Sequence, residues 1–396
     1  MRDTVREPGV ALGFTAAQLT ARGAGTTARE IAQQPLIWPE IARLVGADAA
    51  LRAFLTPLLA DAGLRLVLTG AGSSSFVGEC LAPVLARPGS RRVEAIATTD
   101  IVAAPASTLA ARTPTLMVHF ARSGNSPESV GALELAEQHI ERCAHLIVTC
   151  NRDGELYQRA RTVRQGYTLL LPEACNDQGF AMTSSVTGML YAAALALGAV
   201  ATDEPRAARL AQLATQLLSS AVPLLTSLVG AEFERVVYLG SAELKGLARE
   251  AALKMLELTD GRVVSVGDAP LGFRHGPKTI LNGNALVVMF VSNDAYTRRY
   301  DLDLLNELRR DGVAGRVIAL TNAPAAHDRD TLVLADGVPD MLTDLELSLP
   351  YAVFAQSLAV LRSLSLWLTP DSPNAAGTVN RVVQGVTIYP YGGGAQ

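Results

Sequence analysis

The chain has 396 residues, more than one compact core usually holds, so we expect two domains. Apolar residues make up 49% of the chain and the net charge is −4, which is typical of a globular protein. No Lys/Arg cluster is long enough to follow a nucleic-acid backbone or an anionic membrane surface. The four cysteines form no C-x-x-C pair and the N-terminus lacks a signal-peptide apolar segment, so we expect a cytoplasmic protein.

The first predicted element is a helical lead-in over residues 1–45. Within it, Thr27 to Glu30 has the Thr-x-x-Glu pattern of a capping box, which predicts a helix start at that point. Further on, the apolar stretch from Val186 to Ala201 is too short and too rich in alanine for a good membrane span. We predict a buried helix there.

Three short apolar runs recur about 170 residues later in the chain. The pairs are Leu64–Leu68 with Val236–Leu239, Thr115–Phe120 with Ala285–Val291, and His145–Thr149 with Val317–Leu320. Helix-period segments lie between the runs, and alternation of strands and helices is typical of parallel sheets covered on both faces. We therefore predict an α/β protein with two tandem doubly wound domains, 46–202 and 203–370, and a tail over 371–396.

Two turns of the first domain are rich in glycine and serine, Gly70–Ser75 and Ser123–Ser126. Each follows a predicted strand, where open parallel sheets bind ligands, and glycine lets the backbone N–H groups approach an oxyanion. Neither turn has a dinucleotide or P-loop pattern. They could be ordinary polar turns, but two in register favour a cradle for one phosphate. The predicted ligands are Gly72, Ser73, Ser74, Ser123, Asn125 and Ser126.

The matching turns of the second domain contain Glu243 and Asp294, which would repel a phosphate, so we expect one ligand per chain. The predicted helix Ala242–Leu258 follows the first of these turns. Glu250, Lys254 and Glu257 lie three or four residues apart in this helix, so their side chains share one face. Such a cluster is either a proton-transfer site or a solvated ladder of ion pairs.

These segments together resemble the SIS (sugar isomerase) family. The likeness is greatest to the galactosamine-6-phosphate deaminase/tagatose-6-phosphate isomerase group and to the isomerase half of glucosamine-6-phosphate synthase. The matching segments are Glu30–Pro35, Gly72–Ser74, Arg122–Glu128, Leu253–Leu258, Arg274–Pro277 and Asn380–Thr387. The resemblance implies SIS-type domains of flavodoxin-like fold over nearly the whole chain.

The resemblance also implies roles for individual residues. Ser74, Ser123 and Ser126 match phosphate-binding positions. Glu257 matches the base that moves a proton between C1 and C2, and Lys254 matches a supporting cation in the same helix. His275, by itself typical of a loop histidine, matches the residue that opens the sugar ring.

In the synthase the residue matching His275 comes from the neighbouring subunit, which implies a homodimer or a larger homo-oligomer here. The chain also departs from the synthase pattern. Ala121 and Arg122 stand where the synthase has Ser and Gln, and Gln384 stands where it has a Lys near the open-chain carbonyl. No glutaminase domain precedes the first repeat, so the resemblance implies no synthesis from glutamine.

The function that follows is an isomerase or hydrolase acting on a sugar phosphate without a metal or other cofactor. The specific prediction, which the resemblance implies, is deamination of a hexosamine 6-phosphate, namely galactosamine 6-phosphate, to tagatose 6-phosphate and ammonia by a 1,2-proton transfer. Aldose–ketose isomerisation without deamination is an open alternative, because no residue decides whether C2 carries nitrogen or oxygen. A non-catalytic sugar-phosphate sensor would keep the serine loops and lose Glu257 and His275, so the pair favours an enzyme.

Overall fold

The structure, a computed structural model, describes residues 10–87, 91–322, 329–334, 342–383 and 385–392. It opens with a short antiparallel hairpin and three lead-in helices. These are β1 (Val10–Ala11), β2 (Phe14–Thr15), α1 (Ala16–Ala21), α2 (Gly25–Ala47) and α3 (Ala49–Ala60). The capping box predicted at Thr27 is wrong, because α2 already begins at Gly25. Thr27 instead donates from its N–H and its hydroxyl to Asp371 Oδ1, both at 2.7 Å.

The first domain is a sheet of five parallel strands in the order β4-β3-β5-β6-β7. Its strands are β3 (Arg65–Thr69), β4 (Arg92–Ala95), β5 (Thr115–Ala121), β6 (Cys143–Thr149) and β7 (Gly166–Leu170). Its helices are α4 (Ser73–Ala86), α5 (Thr98–Ala103), α6 (Pro105–Thr108), α7 (Pro127–His139), α8 (Glu155–Arg159) and α9 (Ser184–Ala196), with a 3-10 turn at Glu173–Cys175.

The second domain repeats this topology with the order β12-β11-β10-β8-β9. Its strands are β8 (Arg235–Gly240), β9 (Val264–Asp268), β10 (Ala285–Phe290), β11 (Arg316–Thr321) and β12 (Thr331–Val333). Its helices are α10 (Glu204–Ser220), α11 (Val222–Val229), α12 (Glu243–Leu258), α13 (Pro270–Phe273), α14 (Ala295–Asp311) and α15 (Asp344–Ser365), with a 3-10 turn at Pro277–Ile280.

Both sheets follow the 2-1-3-4-5 order of flavodoxin-like folds, so the predicted pair of doubly wound α/β domains is confirmed. The six strands predicted from the repeat all exist, with ends shifted by a residue or two. The two sheets occupy residues 65–170 and 235–333. The domain boundaries at 45/46, 202/203 and 370/371 stay predictions.

The two domains meet where α4 packs against α12. Gly246 permits the close approach, because a Cβ there would lie only 2.7 Å from the Cys80 backbone nitrogen. This contact brings the start of α4, with its serine loop, beside the face of α12 that carries the predicted acid/base residues. The packing of the repeats thus places the two halves of the predicted site together.

Helix α15 lies at the centre of the largest hydrophobic core, which also includes side chains of α2, α9 and α10. By length and composition alone, α15 is long and apolar enough to cross a membrane. The same holds for α10 and α11 taken together, although the two helices are bent by 48° relative to each other. Every residue of the apolar window of α15 is buried inside the fold. The helix predicted near Val186 is also confirmed as buried, because α9 packs against α2 and α4.

Candidate active site

A cavity of about 200 Å³ opens at the carboxyl ends of β3 and β5, where the strand order of the first sheet reverses. Five predicted phosphate ligands line it together with Glu257 of the second domain. The described residues that line it are Ala71–Ser74, Phe120–Gly124, Ser126, Ser129, Phe180, Met182, Glu257 and Val379–Val383. Both domains and the tail therefore contribute to one site.

The first serine loop depends on two glycines. Gly72 has φ 56° and ψ −129°, a conformation that side chains disfavour. A Cβ at Gly70 would lie 2.6 Å from the carbonyl carbon of Ser74, so the helix can start directly over the strand end. α4 begins at Ser73, and the N-terminus of a helix attracts anions. The Ser74 hydroxyl has one weak contact among the described residues, 4.0 Å to the Met182 sulfur, so it can still bind a ligand.

The second serine loop is held in place from both sides. The Ser126 hydroxyl donates to Ser129 Oγ at 2.6 Å, and the Asn125 N–H donates to Ser123 Oγ at 3.3 Å. Asn125 itself does not line the cavity. Its Oδ1 accepts the backbone N–H of Glu155 at 2.9 Å, so its side chain fastens the loop to α8. Of the predicted ligands in this loop, the structure places Ser123 and Ser126 at the cavity.

Two arginines that were not among the predicted ligands reach the same cavity. Arg122 is buried and donates from Nη2 to the Arg381 carbonyl at 2.7 Å and from Nη1 to the Phe180 carbonyl at 3.4 Å. Arg381 donates to the Asp177 carbonyl. Burial and the nearby Arg381 lower the pKa of Arg122, while Asp177 and Glu257 raise it. The Nε of Arg122 is buried and has no hydrogen-bond partner among the described residues.

The predicted Glu250, Lys254 and Glu257 cluster forms on one face of α12. Lys254 is buried, contacts the Glu257 carboxylate and lies 3.7 Å from Glu250 Oε1. Burial raises the pKa of Glu250 to about 7. The nearby Lys254 lowers this pKa and the nearby Glu257 raises it further. Although burial alone would lower the pKa of Lys254, Glu250 and Glu257 raise it overall. Glu257 is the member of the cluster that lines the cavity, and the buried ammonium group of Lys254 contacts its carboxylate.

His275 is not part of this cavity. It is exposed in the turn after α13, where its backbone N–H donates to the Gly272 carbonyl at 3.0 Å. Its predicted role thus requires a site other than the cavity of its own chain. Gln384, the other predicted residue of the tail, lies outside the described residues.

The corresponding position of the second domain is occupied by carboxylates. The Ser292 N–H donates to Asp301 Oδ2 at 2.9 Å, and the Asn293 N–H donates to Asp344 Oδ1 at 2.6 Å. Glu243 is fully buried at the start of α12. These groups take the N–H donors that a phosphate would need. The geometry supports the prediction of one phosphate ligand per chain.

Among the described residues, Glu137, Cys143 and His145 could hold a metal ion, with ligand atoms within 4.8 Å of one another. They do not line the cavity. His145 Nε2 already bonds Glu137 Oε1 at 2.9 Å and its Nδ1 bonds His119 Nε2 at 3.0 Å. Glu137 also pairs with Arg164 at 3.1 Å. Because Glu137 and His145 are already engaged with each other and with His119 and Arg164, the cluster gives no reason to infer a metal centre.

Two doubly wound repeats that share one Ser/Gly-lined cavity define a protein of the sugar-isomerase type, and comparison with known proteins agrees. The SIS domain model matches residues 58–198. The Escherichia coli protein named D-galactosamine-6-phosphate deaminase AgaS is 46% identical over 383 residues, 94% of this chain and 97% of its own. An AgaS relative from Streptomyces coelicolor is 50% identical over 368 residues, 92% of this chain and 95% of its own.

Among solved structures, tagatose-6-phosphate ketose/aldose isomerase from Escherichia coli superposes with a TM-score of 0.86 at 39% identity, covering 97% of this chain and 99% of that one. The chain belongs to the SIS-domain family of enzymes that these AgaS proteins represent. The expectation of a hydrolase is wrong, because the relatives are named for deamination and isomerisation.

Proposed function

We propose that the chain converts a hexosamine 6-phosphate, namely galactosamine 6-phosphate, to tagatose 6-phosphate and ammonia. The observation that carries this proposal is the single cavity that joins the serine loops of one domain to Glu257 of the other. The name of the AgaS relatives supports the choice of substrate. The proposal includes a cytoplasmic homo-oligomer whose partner is this small molecule and not nucleic acid or a membrane.

The phosphate group binds in the serine loops. Ser74 and Ser123 offer hydroxyl donors there, and the N-terminus of α4 adds a favourable dipole. Ser126 joins them when its hydroxyl turns from Ser129 Oγ to the phosphate. Arg122 and Arg381 supply positive charge that their carbonyl partners leave uncompensated. Anchoring the C6 end in this way brings C1 and C2 of the open chain toward Glu257 and makes proton transfer effectively intramolecular.

Glu257 acts as the base. It takes the proton from C2 of the open-chain aldehyde while O1 gains a proton, which gives an enolamine. It then returns a proton to C1 while the amine nitrogen loses one, which gives a C2 imine. Water adds to the imine carbon, and ammonia leaves as the C2 ketone forms. Lys254 holds the Glu257 carboxylate in place through their ion pair, in which the ammonium group is buried.

His275 opens the sugar ring from a neighbouring subunit, since it is exposed and does not line the cavity of its own chain. A homodimer or larger assembly is therefore part of the proposal. Gln384, in the tail that follows the cavity-lining segment Val379–Val383, is proposed to face the substrate. A Gln at this position cannot form a Schiff base.

A second candidate is aldose–ketose isomerisation without loss of nitrogen, in which C2 carries a hydroxyl group. The name of the Escherichia coli structural relative favours it. The same residues would act, because the 1,2-proton transfer is the same and only the hydrolysis of an imine is missing.

Incubation with galactosamine 6-phosphate, glucosamine 6-phosphate and tagatose 6-phosphate, with ammonia and ketose phosphate measured, tests the proposal. Ammonia from galactosamine 6-phosphate is expected, in equal amount to the tagatose 6-phosphate formed. Isomerisation of tagatose 6-phosphate without any ammonia from either amino sugar would favour the second candidate. No turnover of all three would contradict the proposal.

The reaction in deuterated water tests the role of Glu257. A proton held by one carboxylate exchanges with solvent, so deuterium should appear at C1 of the product, whereas a hydride shift would leave C1 unlabelled. Glu257→Gln should lower kcat by about two to four orders of magnitude, the scale of a general base. Glu250→Gln should lower kcat far less than Glu257→Gln does. A larger loss of kcat in Glu250→Gln would mean that Glu257 has been wrongly assigned as the base.

A further inference from the structure

One wall of the cavity is a loop, residues 176–183, which we call the wall loop. Phe180 and Met182 of this loop line the cavity directly. The loop also presents two backbone carbonyls to the arginines of the site, because Asp177 accepts from Arg381 and Phe180 accepts from Arg122. The position of the wall loop therefore sets where both guanidinium groups lie.

The wall loop is held from outside the cavity by Glu30 of α2. Glu30 Oε1 accepts the N–H of Gln178 at 2.5 Å, and both of its oxygens lie 3.2 Å from the N–H of Gly179. A Cβ at Gly179 would lie 2.9 Å from Glu30 Oε2 and 2.9 Å from Thr27 Oγ1, so the loop packs directly on the helix. Glu30 itself does not line the cavity.

Two further groups fix the ends of the same loop. Gln33, one turn along α2, donates to the Ala174 carbonyl at 2.8 Å and to Ser184 Oγ at 3.0 Å. The Asp177 carboxylate accepts the N–H groups of Thr183 and Ser184 at 2.7 and 3.0 Å. Glu30 is thus the contact at the middle of the loop, between the two ends.

The surroundings of the Glu30 carboxyl group disfavour its ionised form. Burial and the neighbouring Asp177 raise its pKa to about 7, while the N–H groups of Gln178 and Gly179 and the charge of Arg29 lower it. A buried acid whose partners are the N–H groups of one loop suits a role in orienting that loop. An apolar residue would pack there without this cost but would leave the two N–H groups unbonded.

We propose that Glu30 is a positioning residue for the sugar phosphate, acting through the wall loop on Arg122 and Arg381. The inference rests on the proposed function, since it assigns the arginines to the phosphate group. It gives a role to the Glu30–Pro35 segment, which matches the family and lies outside the cavity. Removal of the carboxylate should weaken binding of the phosphate while the chemistry at Glu257 proceeds.

The test compares Glu30→Ala, Glu30→Gln and the control Glu40→Gln, an exposed glutamate of the same helix. We expect Glu30→Ala to weaken binding of inorganic phosphate to the intact protein at least about tenfold, to raise KM for galactosamine 6-phosphate similarly, and to leave kcat within about threefold. Hydrogen exchange at Gln178 and Gly179 should quicken. Glu30→Gln keeps one acceptor oxygen and should restore part of the affinity, and Glu40→Gln should match the parent chain.

Unchanged exchange at the wall loop would overturn the proposal, and so would faster exchange with unchanged phosphate affinity. A fall in kcat with unchanged KM would also overturn it. Should Glu30→Ala fail to fold, Glu30→Gln carries the comparison. The phosphate-binding measurement separates this inference from the proposed function. A parent chain that binds phosphate but turns over no amino-sugar phosphate would contradict the proposed function and leave the role of Glu30 open to the same test.

Discussion

Gly72 and Ala242 occupy the same turn in the two halves of the chain, 170 residues apart, with nearly the same backbone conformation. Gly72 has φ 56° and ψ −129°, and Ala242 has φ 49° and ψ −119°. Each stands immediately before the helix that follows the first strand of its sheet. The duplication has therefore kept a backbone conformation that favours glycine even where the second copy carries a Cβ.

Ala242→Gly should stabilise the protein. Glycine would relieve strain of the order of 1–3 kcal/mol at a positive φ, offset by roughly 0.4–1 kcal/mol for the greater freedom of the unfolded chain. The reciprocal change, Gly72→Ala, should destabilise by about 1–2 kcal/mol, the backbone strain less the smaller freedom of the unfolded chain, because no described residue beyond its chain neighbours lies within 4 Å of the added Cβ. Urea unfolding of both variants measures the two effects, and a less stable Ala242→Gly protein would contradict the expectation.

Ser123→Ala should raise KM for the sugar phosphate with a smaller change in kcat. A charge-assisted hydrogen bond to the phosphate is worth roughly 1.5–3 kcal/mol, or about a ten- to hundredfold rise in KM. Ser75→Ala is the matched control, because the Ser75 hydroxyl donates to the Gly72 carbonyl at 2.8 Å and does not line the cavity. Steady-state kinetics with both variants decide the point. Equal KM values for Ser123→Ala and the parent chain would remove this serine from the phosphate site.

The sequence predicted those parts of the molecule that depend on local pattern. Strand runs, glycine turns and the spacing of Glu250, Lys254 and Glu257 are set by neighbours in the chain, so the repeat and the face of α12 could be predicted. The capping-box prediction failed because Glu30 finds its partners 148 residues away, at Gln178, which no local pattern encodes.

Arg122 illustrates the same limit within the site. In the sequence it is one cation beside a serine, and nothing local indicates that its guanidinium group meets the carbonyl of Arg381, 259 residues later. The tail reaches the cavity only because the chain returns across the first domain after α15. Asn125 had the opposite outcome, since its spacing predicted a ligand but its side chain is used in holding α8.

Mixing the inactive variants Glu257→Gln and His275→Ala should restore part of the activity. His275 is exposed and absent from the cavity lining of its own chain, so the proposal requires it from a neighbour. In a mixed dimer one of the two sites would combine an intact Glu257 with an intact His275, giving up to about a quarter of the parent activity for random dimer exchange. Subunit exchange is verified separately by a mass or fluorescence label. Complete exchange without recovered activity would place His275 in the site of its own chain.

Glu250 should make the stability of the protein depend on pH. Its pKa is about 7 in the folded chain against 4.5 for the free side chain, so the folded state holds the proton more tightly than the unfolded state. Its contribution to the free energy of unfolding is therefore fully present below about pH 4.5 and is lost as pH rises through 7. Glu250→Gln, which stays neutral, should lose roughly 2–3 kcal/mol less stability than the parent chain between pH 5 and pH 8. Urea unfolding of both proteins at the two pH values provides the measurement. All other acidic residues are common to both proteins. Equal losses of stability in the two proteins would therefore mean that Glu250 is ionised in the folded state at both pH values.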